Sequence, residues 1–67
     1  MGQRYIIPVS SLLHVAKEMK KDKMKYVEIS LYEPEFELPA RVHFYAREDG
    51  VDVWTDYDDI ESLDLDA

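Results

Sequence analysis

The chain contains no cysteine, which excludes disulfides and thiolate metal sites and limits sulfur redox chemistry to its methionines. Glycine and proline are scarce, at two and three residues, and there is no Gly/Ser linker, low-complexity tract or internal repeat. Long apolar runs are missing as well. A stretch such as Tyr5–Ile7 is far shorter than the core of a secretory signal or a membrane span. Gly2 invites a myristoylation reading, but Ile6 stands where that motif wants Ser or Thr. These absences lead us to expect a soluble cytoplasmic protein with no membrane attachment.

Basic residues are missing from one end only. Residues 48–67 carry nine acids and no base, residues 26–47 sum to −2, and residues 1–25 sum to +4, within a net charge of −7. Such asymmetry marks either an acidic interaction surface or two ends that compensate one another. The 67 residues form one domain (residues 1–67), 46% hydrophobic and 12% aromatic, which is enough for a folded core. A domain this short buries only about 60% of its unfolded surface. Without disulfides, self-association is the support left most open to it.

Two periodicities organise the chain. Ser10 or Ser11 can cap a helix over roughly residues 11–22, where Leu12, Val15, Ala16 and Met19 form one apolar stripe. Lysines gather in its last turns, where cations complement the helix dipole. From Lys25 the period becomes two: Val27, Ile29 and Leu31 alternate with Tyr26, Glu28, Ser30 and Tyr32. Residues 33–39 are bounded by prolines and read as a loop. Val42, Phe44 and Ala46 then alternate with Arg41, His43 and Tyr45. Tyr5–Ile7 favours extended structure, but Pro8 cannot donate to a ladder, so any strand there is a short edge strand.

Asp49-Gly50 is the signature of a two-residue type I′ hairpin. That turn predicts a returning strand over Val51–Thr55, in a register opposing Arg47 to Asp52, Tyr45 to Trp54, His43 to Asp56 and Arg41 to Asp58. The other face then pairs Ala46 with Val53, Phe44 with Thr55 and Val42 with Tyr57. Residues 57–67 read as a short acidic helix, with Asp58 and Glu61 as a capping box, or as an acidic tail. The expected fold is therefore α+β, in the order α-β-β-β. One amphipathic helix lies on one face of a three-stranded antiparallel sheet, over Val27, Ile29, Leu31, Val42, Phe44, Ala46 and Val53.

Candidate chemistry is sparse. His43 opposite Asp56 resembles a base with its orienting acid, but no serine sits in a nucleophile context, and an ordinary cross-strand pair explains it better. His14 borders the helix's apolar stripe. Asp56, Asp58, Asp59 and Glu61 cluster, yet an EF-hand begun at Asp56 fails. Ile60 takes a ligand position, Glu61 replaces the required Gly, and Ala67 replaces the terminal Glu. No metal, cofactor or catalytic activity is expected.

Binding is the better reading. The sheet face away from the helix should carry Tyr26, Tyr32, Tyr45 and Trp54 with Arg47, residue types enriched at interface hot spots. We expect a non-catalytic interaction or regulatory module that binds an unidentified protein, or itself as a homodimer, through this face. A second reading is an acidic inhibitor that imitates nucleic acid with Glu33, Glu35, Glu37, Asp56, Asp58, Asp59 and Glu61. Nucleic-acid binding through the lysine-rich helix (Lys17, Lys20, Lys21, Lys23, Lys25) is weaker, since the net charge repels a polyanion.

Overall fold

The structure, a computed structural model, describes residues 4–63. Helix α1 (Val9–Lys21) precedes strands β1 (Tyr26–Tyr32), β2 (Arg41–Arg47) and β3 (Thr55–Glu61). The strands form one antiparallel sheet in the order β1-β2-β3. No helix among the described residues is long and apolar enough to cross a membrane.

The helix starts earlier than the serines suggest. Pro8 is the N-cap, and its carbonyl accepts the Leu12 N–H at 3.1 Å, while Ser10 and Ser11 lie inside the first turn and no side chain caps. Proline suits this place because its fixed φ is extended-compatible and it has no N–H to satisfy. The other end closes with paired reverse bonds, Met24 N–H to the Met19 carbonyl and Lys23 N–H to the Lys20 carbonyl. This is a Schellman cap. Its left-handed residue is Lys23, at φ 63°, where glycine is usual. Lys20 and Lys21 sit on the last turn as expected.

Strands β1 and β2 pair in unbroken register, from Tyr26 opposite Arg47 to Tyr32 opposite Arg41. The connection to β3 differs from the expected hairpin. Residues 48–51 form a turn closed by the Val51 N–H on the Glu48 carbonyl, with φ positive at Gly50 (+79°) but not at Asp49. A type I′ turn needs positive φ at both central residues. With only one, the chain does not fold straight back, and Val51–Trp54 run on outside the sheet. The returning strand is thus Thr55–Glu61, not Val51–Thr55, and it occupies the residues expected as a C-terminal helix or tail; residues 64–67 lie outside the described part. A bulge opposite Phe44 shifts the register, so Ala46 faces Thr55 and Tyr45 faces Asp56, but His43 faces Asp59 and Val42 faces Ile60. An extra residue inverts the alternation. Tyr57 and Ile60, of opposite parity, therefore both pack on the core.

That core is small. Val15 of α1 meets Val42 and Phe44 of β2, with Tyr5, Ile7, Met19, Tyr57 and Ile60 packed around them. The helix leans on β3, and the Tyr57 hydroxyl donates to the Asp22 carboxylate at 2.7 Å, fastening the helix's end there. Burial and that carboxylate push the Tyr57 phenol up to about 12. The N-terminal segment joins the same side. Expected as an edge strand, it is extended but forms no ladder; Ile6 accepts the Leu63 N–H (2.7 Å) and donates to Ser62 Oγ (2.9 Å).

A helix is about 10 Å wide and three strands spaced about 4.8 Å apart are wider, so one helix covers about two strands. The third is left out. On the helix-side face, Val42, Phe44 and Ala46 are 4, 1 and 0% exposed, but their partners Leu31, Ile29 and Val27 are 57, 53 and 49% exposed. Expected under the helix, these three residues are open, and so is Val53 in the connection. Of the predicted helix stripe, Val15 is buried and Met19 half-buried, while Leu12 and Ala16 are exposed.

Candidate functional site

The face opposite α1 is built by β2, whose Arg41, His43, Tyr45 and Arg47 point away from its buried residues. The register lays these side chains out in four rows. Tyr26 stands beside Arg47; Glu28, Tyr45 and Asp56 form the next row; then Ser30, His43 and Asp59; then Tyr32, Arg41 and Glu61. The β1 column is mainly aromatic and polar, the centre largely cationic, and the β3 column anionic.

Of the five expected contact residues, three meet at one corner. The Arg47 guanidinium lies over the Tyr26 ring at 4.7 Å and over the Trp54 ring at 5.4 Å. The same guanidinium donates to the Val51 carbonyl at 3.0 Å, which ties the 48–54 connection to β2. Trp54 therefore reaches the face from a loop. It does not stand opposite Tyr45, nor does Asp52 stand opposite Arg47. Tyr32 and Tyr45 are neighbours on the same face, and the hydrogen bond between them pushes the Tyr45 phenol upward. Arg41 stacks on Tyr32 at 4.7 Å and faces Glu61, not Asp58.

His43 is held from both sides. Its Nδ1 meets Asp59 and its Nε2 meets Asp56, and the ring tilts against Tyr45 with centroids 4.5 Å apart. The contact with Asp56 was expected as a cross-strand pair; it is instead diagonal, because the bulge brings Asp56 and Asp59 onto one face. The hydrogen bonds to Asp59 and then Asp56 raise the His43 pKa, outweighing the opposing effect of burial. With both ring nitrogens engaged by carboxylates, the imidazole offers no free lone pair to abstract a substrate proton.

The acidic residues divide. Asp56 and Asp59 are engaged by His43, and Glu61 lies opposite Arg41. Asp58, Asp59 and Glu61 also line an open cleft of about 450 Å³ against Ser10, Ser11 and His14 of α1, where His14 pairs with Glu18 at 3.0 Å. Glu33, Glu35 and Glu37 stand exposed on the β1–β2 connection. Among the described residues, no three His, Asp or Glu side chains are arranged to hold a metal ion.

Two apolar features stand open on the surface. One is the uncovered apolar row of β1. The other is Phe36, at the tip of a tight turn bridged by Glu35 and Leu38, with φ +35° and its ring fully exposed. The prolines flanking residues 35–38 signalled a loop, but not that its apolar residue points outward. Comparison of the chain with protein-family models, curated proteins and solved structures finds no match.

Proposed function

We propose that this chain is a non-catalytic protein-interaction module that binds a protein partner, or a second copy of itself, through the open face of its sheet. The observation that carries this reading is the corner where Tyr26 and Trp54, both exposed, flank the Arg47 guanidinium. Tyr, Trp and Arg dominate interface hot spots because each offers large contact area with a polar handle. Here the arginine is held by a backbone carbonyl, so little side-chain freedom remains to be lost on binding. Tyr32 and Tyr45 extend the surface. The half-neutralised carboxylates of β3 support this reading over nucleic-acid mimicry, since a mimic needs an uncompensated row of negative charge.

The test compares wild type with a Tyr45→Ser/Trp54→Ser variant of verified fold, immobilised and exposed to source-cell lysate in low and ~0.5 M salt. Capture that survives high salt and is lost in the variant supports the reading. Capture that vanishes with salt and ignores both substitutions transfers the role to the acidic surface.

A further inference from the structure

We infer that the uncovered β1 strand is a homodimerisation edge, on which two copies pair antiparallel about a two-fold axis at Ile29 to form one six-stranded sheet. This surface is distinct from the sheet face of Tyr45 and Trp54, and its occupant is a second copy. Strand β1 is at the sheet edge, and no strand among the described residues lies beyond it. Its seven residues contain no proline, and its pairing with β2 shows no bulge. Protected edges use such interruptions, or inward-pointing charges, to refuse further strands. Here Glu28 is the one charge, and it faces the other side from Val27, Ile29 and Leu31.

The sequence of β1 is complementary to itself in one register. Centred on Ile29, the antiparallel pairing sets Val27 against Leu31 of the second copy, Ile29 against its counterpart, and Tyr26 against Tyr32. Just beyond the strand, Lys25 falls opposite Glu33, on both sides of the axis. Moving the centre to Glu28 puts that carboxylate against itself; moving it to Ser30 puts Val27 against Glu33. Directly opposed apolar residues and opposite charges stabilise a strand pair, and opposed like charges break it. An isologous contact of this kind closes on itself.

Two further unmatched features lie at the ends of β1. A groove of about 180 Å³ between α1 and β1 is lined by Ala16, Met19, Lys20, Met24, Lys25, Tyr26 and Val27. The exposed Phe36 stands in the connection that follows Tyr32.

Sedimentation velocity on the full chain from about 10 µM to about 1 mM decides the matter. A concentration-dependent rise from 7.9 kDa to twice that mass is expected. Ile29→Lys, which opposes two ammonium groups at the axis, should weaken association on the order of 100-fold. Lys25→Glu and Glu33→Lys, each alone, should weaken it on the order of 10-fold, and an equimolar mixture of the two should recover as heterodimer. Lys25 also lies 3.6 Å from Asp49 in its own chain, but loss of that contact cannot produce recovery on mixing. Circular dichroism confirms the fold of each variant. A wild-type monomer throughout, or a dimer indifferent to Ile29→Lys and to the charge exchange, overturns the proposal. Neither result touches lysate capture through Tyr45 and Trp54, so the two readings fail separately.

Discussion

The two edges of this sheet are built from strands of equal length and treated in opposite ways. Strand β3 is bulged, carries four carboxylates, receives the helix and runs on to Leu63, whose N–H bonds the Ile6 carbonyl. Strand β1 is regular, bears one charge, and leaves three aliphatic side chains open. The difference follows from geometry: a single helix cannot roof three strands, and Tyr57 fastens this one to the β3 side. Asymmetry of cover, more than composition, separates the half that holds the fold from the half free to meet another molecule.

The contrast is sharpest in paired truncations. Phe44→Ala, at the centre of the covered half, should cost about 3–5 kcal/mol and leave most of the chain unfolded. Ile29→Ala, its register partner, should cost less than about 1 kcal/mol at a concentration where the chain is monomeric. Equal costs in urea unfolding would show that both halves are covered. Next in size is Tyr57→Phe, which removes the bond to Asp22 and should cost about 1 kcal/mol. An unchanged unfolding midpoint would mean that packing alone holds the helix over β3.

The contact between β2 and β3 should also carry the pH dependence. The folded His43 pKa is raised above the ordinary 6.5, so the imidazolium's pairing with Asp59 and Asp56 contributes fully below that pH. It is lost as pH rises through the folded value. Unfolding midpoints should therefore fall on the alkaline side of 6.5, and His43→Gln should remove that slope; an unchanged slope would assign it to another group. Smallest is Lys23→Gly at the helix end, which should stabilise by about 0.5 kcal/mol because glycine tolerates the positive φ. A destabilised variant would show that the Lys23 side chain has work of its own at the β1 end of the helix.

The helix, β1 and β2 were legible because apolar spacing changes from the helical period to two at Lys25. What stayed hidden depends on single backbone angles and on tertiary choice. Asp49-Gly50 is compatible with more than one turn, and the negative φ of Asp49 moves β3 four residues along the chain. The bulge then places Asp59, not Asp56 alone, on His43, and no alternation pattern announces an inserted residue. Likewise the stripe of Leu12, Val15, Ala16 and Met19 says that the helix packs, but not over which pair of strands. Tyr26, Tyr32, Tyr45 and Arg47 share one face because that placement depends only on the parity of β1 and β2, which the sequence shows directly, whereas Trp54 reaches it from the 48–54 connection.

The guarded edge at β3 has a consequence for growth. In polymerisation, a unit with two reactive ends propagates into a chain, whereas a unit with one couples once and is spent. With its bulge and its carboxylates, β3 makes this protein a unit of the second kind. Any sheet extended through β1 would be terminated at both outer flanks by the same strand, so pairing there would stop at two copies.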